Sequence, residues 1–388
     1  MIVIKRLVIS LCLGVVLVGF FEGPASAGVD DIRLVLDQMR PDSMLVDIER
    51  LIAFDTRFMG SDSNWAAVSW IAGRFASMGY APTLDSFEVN VDRQVQGQRY
   101  TISDLTQVNV IATRRGLIHP DKKIVLGAHY DCISLDLDDQ GFAPGADDNA
   151  TGVAAVLEMA RLLRNADTDV TIEFVLFGAE ELGLIGSGAY ATRALEQGDE
   201  IVLMLGLDVL GTRSTTFSSA FSLDTTSRNL ELAEQIADAA ETFTEVFARD
   251  GSSNARVMVS ASGCGCSDHH SFLTRGFPAI GVFQYFSNPS PHINMSTDTI
   301  VQVDVAYVSS ITQAALAGTL QIAGFPRRSP DFDGSGIVDF TDFLAFSAAF
   351  GSDTLDPADE PFDLDVDGFV GFSDFLIFAE SFGRDLSG

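Results

Sequence analysis

Basic residues are scarce in this 388-residue chain: 24 Lys and Arg stand against 54 Asp and Glu, a formal net charge of −30 at pH 7. That balance excludes a nucleic-acid partner, since phosphate binding needs a basic face. Long apolar runs are scarce too. The first lies at the N-terminus, where MIVIKR supplies positive charge, LVISLCLGVVLVGFF the apolar stretch and Ala25-Ser26-Ala27 an A-x-A cleavage site. Residues 1–27 therefore read as a secretory signal peptide rather than an anchor. No later stretch approaches the ~18 apolar residues of a transmembrane helix, so no stable membrane span is expected once the signal is cleaved. The expected location is secreted, periplasmic or cell-surface. Cysteine is the third shortage. With Cys12 in the signal, Cys132, Cys264 and Cys266 remain, too few for disulfides to define the fold. An odd number suggests one bridge and one free thiol. A bridge between Cys264 and Cys266, only two residues apart, would be strained. One from Cys132 to either of them avoids that, and the sequence leaves the choice open.

What is plentiful is apolar residues, 47% of the chain, enough for a substantial core. Residues 28–325 alternate short apolar runs with helical patterns. KKIVLGAHYD, TIEFVLFGAEE, IVLMLGLDVLG and PAIGVFQYF have the uninterrupted apolarity of strands buried on both faces. Helices are expected at about 150–165, over LIGSGAYATRALEQ, at 227–247 and at 303–323. This alternation implies an α/β fold, with a largely parallel sheet between helices.

The polar residues fall at the ends of those strands. His129 and Asp131, Asp147, Glu180 and Glu181, and Asp208 all follow an apolar run or open the loop after it. Open α/β sheets bind ligands at that rim. PGADDNATG, at 144–152, is the strangest stretch, because it sets two adjacent carboxylates between a buried strand and a buried helix. Each residue alone has an ordinary role, such as a core histidine, a turn, or carboxylates at a helix N-terminus. Together on one rim they imply cations. Two zinc ions about 3.5–4 Å apart need a bridging carboxylate, and zinc takes His nitrogen and carboxylate oxygen. His129, Asp147, Glu181, Asp208 and His292 supply one bridge and two terminal ligands per ion. Glu180 is left over as a general base. Asp131, two residues from His129 on a strand, is placed to fix its tautomer.

HYD, PGADDNATG, AEELGLIGS, LDVLG and SPHINMSTDTI resemble the successive motifs of the M28 family of di-zinc metallopeptidases, and the similarity extends over about 51–323. The resemblance implies a zinc-exopeptidase α/β domain at 28–325 with a mixed sheet between helices. Asp147 would bridge the metals, Glu181 and His292 would complete one site, and His129 and Asp208 the other. Glu180 would be the base and Asp131 the residue that orients His129. The peptide after the bridging Asp is typically cis in that family, which would put the cis bond at Asp147–Asp148. SDHHSF, at 267–272, fits a segment that lines the substrate pocket, although the preceding SGCGC is unusual.

Composition changes after a short linker at 326–330. Residues 326–388 carry 14 Asp and Glu against 3 Lys and Arg. DFDGSGIVDFTDFLAFSAAFG at 331–351 is echoed by DLDVDGFVGFSDFLIFAESFG at 363–383. Each copy has calcium-loop spacing. Asp331, Asp333, Ser335, Asp339 and Asp342 take the ligand positions of the first, and Asp363, Asp365, Asp367 and Asp374 those of the second. Aspartate at the last position, with a helix only after the loop, resembles dockerin modules. A small α-helical domain at 331–388 with bound Ca2+ is expected, and the resemblance implies a cohesin-like or cell-surface partner.

The expected activity is an exported aminopeptidase acting on peptides. The sequence shows no obvious basic pair for a substrate carboxylate, which weakly disfavours a carboxypeptidase or dipeptidase. A one-zinc glutaminyl cyclase would not need His129 and Asp208 for a second metal. A non-catalytic binding protein would be expected to lose Glu180 or a ligand.

Overall fold

The computed structural model describes residues 26–384, apart from 96, 138–139, 216, 218–219, 245–246, 248–255, 286–289, 326–327, 355–357 and 366–367. Nearly all of the expected signal peptide, half of which is one apolar run, lies outside the described residues. Among those described, no helix is long and apolar enough to cross a membrane.

Three helices open the chain: α1 (Ser26–Leu36), α2 (Pro41–Ile52) and α3 (Asp62–Ser77). The Ser61 hydroxyl caps α3 by accepting the Asn64 N–H. A long hairpin of β1 (Thr83–Val95) and β2 (Gln98–Arg114) follows. Then come β3 (His119–His129), α4 (Thr151–Leu163), β4 (Val170–Phe177), α5 (Ile185–Gln197) and β5 (Glu200–Asp208). The remainder of the domain is β6 (Phe221–Asp224), α6 (Leu230–Phe243), β7 (Val257–Ser260), α7 (His269–Leu273), β8 (Ala279–Gln284) and α8 (Val305–Ile322).

The strands form one eight-stranded sheet in the order β1-β2-β4-β3-β5-β8-β6-β7. Its centre, β4-β3-β5-β8, is parallel; β1, β2 and β4 pair antiparallel, as do β8 and β6. The largely parallel sheet inferred from the apolar runs is present, and it is mixed, as the resemblance implies. Every residue of β4, VTIEFVLF, is buried, as a central strand covered on both faces requires. Along β3 the pleat sends Ile124, Leu126 and Ala128 toward α4, α6 and α8, and Val125 toward α5 and α7. α4 is buried nearly all round, packed between the sheet and α2 and α8.

Arg57 ties the N-terminal helices to the rim. It is fully buried. Its guanidinium donates to the carbonyls of Tyr130 (2.7 Å), Leu51 (3.2 Å), Pro144 (2.7 Å) and Gly145 (2.8 Å). A cation therefore sits among main-chain carbonyls on both sides of the functional loops. Gly145 has φ +54°, and a Cβ there would stand 2.5 Å from the Asp148 carbonyl and 2.7 Å from Arg57, so the turn requires glycine.

The C-terminal segment repeats a loop followed by a helix, α9 (Phe340–Ala349) and α10 (Phe372–Ser381). Val338, Leu364 and Phe378 form one small core, and Phe346, Ala349 and Val370 another. Glu380 on α10 meets His119 at the start of β3, 3.4 Å away.

Replacing Arg57 with Met should leave the buried Tyr130 and Pro144 carbonyls without the guanidinium, Leu51 and Gly145 keeping the Phe54 and Ala150 N–H groups, and destabilise the fold by about 3 kcal/mol or more. Urea unfolding of the two proteins measures this, and a loss below ~1 kcal/mol would show that the guanidinium does not hold the rim.

Candidate metal centre

Three parallel strands end side by side, and each delivers a ligand-type residue. His129 closes β3, Glu180 and Glu181 follow β4, and Asp208 closes β5. The turn 146–150 between β3 and α4 adds Asp148. These five residues line one cavity of about 490 Å³ with Arg93, Asn294 and the disulfide residue Cys266. His129 Nε2 lies 3.1 Å from Asp148 Oδ1 and 3.3 Å from Asp208 Oδ1. Ligand atoms of His129, Glu180 and Asp208 come within 4.8 Å of one another, as do those of His129, Asp148 and Glu181.

Asp148 lines the cavity and Asp147, the expected bridge, does not, which is the first correction. The Asp147 carboxylate turns away and accepts the Gly211 N–H and the Thr212 hydroxyl, both at 2.7 Å. Burial pushes it up to about 6. Asp298 fixes the turn, its two oxygens accepting the N–H groups of Asp147 and Asp148 at 2.9 Å each. The cis peptide is Asp148–Asn149, one residue later than expected. Asn149 then joins the turn to α4 and β5, accepting Gly152 N–H and donating to the Leu207 carbonyl, each at 2.9 Å.

Asp131 holds the rim together, though not mainly through the imidazole. The Asp131 carbonyl, at 3.1 Å, is the close partner of His129 Nδ1, whereas its carboxylate lies 3.8 Å away. That carboxylate accepts the N–H groups of Glu180 (3.0 Å) and Glu181 (3.2 Å). It thereby fixes His129 and both glutamates to one anchor.

His292 is the second correction. Its Nδ1 bonds the Thr297 hydroxyl at 2.9 Å, and it does not line the cavity. Asn294 faces Glu181 instead, with its amide 2.9 and 3.0 Å from the two carboxylate oxygens. The cysteine pairing that the sequence left open is Cys264 with Cys266, and Cys132 is free and buried. The Cys132 thiol donates to the Ala143 carbonyl at 2.8 Å and accepts the Arg57 N–H at 3.1 Å, so it lies too deep to pair. Cys264, Asp224 and His269 also cluster, but the bonded sulfur is no thiolate ligand. Although burial opposes its charge, hydrogen bonds from His269, Ser262 and the Cys264 N–H hold Asp224 well below the usual carboxylate range.

Electrostatics explains why these residues need cations. Burial, and then the neighbouring carboxylates, push Glu180 and Glu181 well above the ordinary glutamate range. Burial also raises Asp148, and it lifts Asp268 to about 7 against the pull of His129 and the Ser187 hydroxyl. Burial opposes a charge on His129, yet Glu180 and Asp208 hold its pKa well above the usual value. Carboxylates gathered in low dielectric around one imidazole are stable as anions only beside a compensating charge. One nitrogen and several carboxylate oxygens are a donor set that zinc accepts.

Sequence reasoning missed Arg93, which β1 extends over the cavity mouth. A Cβ at Gly183 would stand 2.5 Å from its Nη1, so glycine leaves the guanidinium its place.

In the C-terminal segment, carboxylates of Asp331, Asp333 and Asp342 come together, as do those of Asp363, Asp365 and Asp374. Asp339 caps α9, accepting the Thr341 N–H at 2.7 Å. Ser335 bonds the Ile337 carbonyl at 3.1 Å. Asp367 lies outside the described residues.

A family model described as "Peptidase family M28" matches residues 109–319, more than half of the chain. The chain belongs to this family. A probable leucine aminopeptidase of Arthroderma benhamiae is 27% identical over 270 residues, which span 68% of this chain and 66% of that protein, just under two thirds of its length. A second, from Arthroderma otae, is 27% identical over 297 residues, 74% of each chain. Among solved structures, the Legionella pneumophila LapA aminopeptidase superposes with a TM-score of 0.60 at 22% identity, covering 76% of this chain and 75% of that one. The Bacillus subtilis zinc aminopeptidase superposes at 0.60 with 15% identity (73% and 95%), and the Porphyromonas gingivalis glutaminyl cyclase at 0.58 with 19% (73% and 99%). The neighbours share the fold. The match over residues 109–319 makes this a domain of a peptidase family.

Asp148→Asn should abolish cation binding in the cavity. Asp147→Asn, which keeps an oxygen for the Gly211 N–H, should leave metal affinity within about tenfold. Equilibrium dialysis with zinc reads both, and the reverse ranking would restore Asp147 as the bridge.

Proposed function

We propose that this M28 peptidase is an exported aminopeptidase that removes N-terminal residues from peptides with two cations in the cavity. The observation that carries the reading is the convergence of His129, Asp148, Glu181 and Asp208 on one cavity with a half-buried, uncommitted Glu180 among them. His129 and Asp208 would hold one cation and Glu181 the other, with Asp148 between them. The bound ions would supply Lewis acidity to the scissile carbonyl and the attacking water. Glu180 takes the water's proton as the C–O bond forms and returns it to the amine nitrogen as the C–N bond breaks. Asp131 keeps Glu180 in register with His129 throughout. The carboxylate-rich wall favours a substrate ammonium group, which supports recognition of the free N-terminus.

Arg93 favours a second reading. A guanidinium at the mouth suits a substrate carboxylate, as a dipeptidase or carboxypeptidase requires. A glutaminyl cyclase is the third, supported by the fold alone, and a non-catalytic binding protein the fourth. Matched peptides with free and acetylated N-termini separate these readings, with Glu180→Gln as the control. Cleavage confined to free amines, and reduced on the order of 10³-fold in the control, is the expected result. Cleavage indifferent to acetylation but dependent on a free carboxylate would install the Arg93 reading. Pyroglutamate formation without cleavage would install the cyclase.

Residues 331–388 form, on the same reading, a dockerin-like module with one calcium ion in each loop. The gathered aspartates support it: burial raises Asp374 to about 6, a cost that a cation would offset. Phe340, Leu344, Phe350, Phe372 and Leu376 are exposed on α9 and α10 and at their ends, which supports a protein partner of cohesin type. Calorimetry on the full chain should find calcium binding that falls by half in Asp342→Asn and by half in Asp374→Asn. Binding unchanged in both would remove the calcium assignment.

A further inference from the structure

The Asp148–Glu181 side of the cavity is closed by the loop 290–298, and that loop is fixed from outside. Asp136 accepts the Ser296 N–H (2.8 Å) and hydroxyl (2.7 Å), and the Leu135 N–H donates to the Asn294 carbonyl at 2.9 Å. At its inner end, Asp298 holds the amides of the Asp147–Asp148 turn. Asn294 has φ +59°, a left-handed conformation that asparagine tolerates better than most residues. These constraints turn residue 294 inward, while His292 stays bonded to Thr297. The Asn294 amide then lies 2.9 and 3.0 Å from the Glu181 oxygens. In one orientation its NH2 donates to both. In the other its oxygen stands where two ligands of one ion stand, since donors ~2.1 Å from a cation lie about 3 Å apart.

We infer that Asn294 supplies the third side chain of an all-oxygen cation site with Asp148 and Glu181, and that this site takes a harder divalent ion than the one built on His129 and Asp208. The inference rests on the two-cation reading of the cavity. Its chemistry is that of the donors. Imidazole favours zinc, whereas carboxylate and amide oxygens favour ions such as Mn2+. His129 Nε2 is committed between Asp148 and Asp208, so the Asn294 side has no nitrogen of its own. The two ions therefore differ in kind and in exchange rate.

The test uses the full chain, stripped with a chelator and dialysed against micromolar Zn2+ with Mn2+ in about hundredfold excess, since zinc outcompetes manganese at any site offered both equally. Bound metal is counted by mass spectrometry, and the ions missing from Asp148→Asn define those of the cavity. The wild-type cavity should hold one zinc and one manganese. Asn294→His should hold two zinc ions, with the weaker site gaining at least about tenfold in zinc affinity. His292→Ala should match wild type. Two zinc ions in the wild-type cavity, or a cavity ion lost in His292→Ala but kept in Asn294→Ala, would overturn the inference. Asp148→Asn binding as many ions as wild type would overturn the two-cation reading itself, and the Asn294 site with it.

Discussion

Uncompensated negative charge at the ends of β3, β4 and β5 is the constraint on which the structure turns. An apolar sheet with helices on both faces is cheap to build. Burying Asp131, Asp148 and Asp208 at its edge, with Glu180 and Glu181 half-buried beside them, is not. The protein meets part of the demand with its own dipoles. Asp298 and Asp131 each accept two main-chain N–H groups, and Asp147 accepts one such group and a hydroxyl. Those three carboxylates are thereby committed to shape. What remains unmatched, Asp148, Glu180, Glu181 and Asp208, faces the cavity. The division between satisfied and unsatisfied acids separates scaffold from chemistry.

Much of this was legible in the chain. The central strands announced themselves as unbroken apolar runs because they are buried on both faces. His129, Glu180, Glu181 and Asp208 were found because each ends such a run. Two choices were not legible. Asp147 and Asp148 are identical in type and adjacent; what distinguishes them is Asp298, some 150 residues on, and the 211–212 backbone, which captures the first carboxylate. His292 has the better ligand chemistry, yet Asn294 has the position, because the loop's path is set by Asp136 and a left-handed residue. Side-chain type argues for one residue and backbone geometry for the other, and only the second is decided in three dimensions.

Arg57 and Arg93 show the same limit from the opposite sign. An isolated arginine in a sequence carries no indication of whether it will be sealed among carbonyls or stand over a cavity. The long β1–β2 hairpin that carries Arg93 was likewise missed, since its outer half is exposed and lacks the continuous apolar signature of the central strands.

The contact between Glu380 and His119 fixes a polarity for the whole molecule. His119 begins β3 and His129 ends it, and ten residues of strand span about 30 Å. The C-terminal helix pair thus touches the sheet at the end remote from the cavity. A molecule tethered to a surface through that pair would present its catalytic mouth outward, free to sweep the surrounding solution for chain ends while its base stays moored.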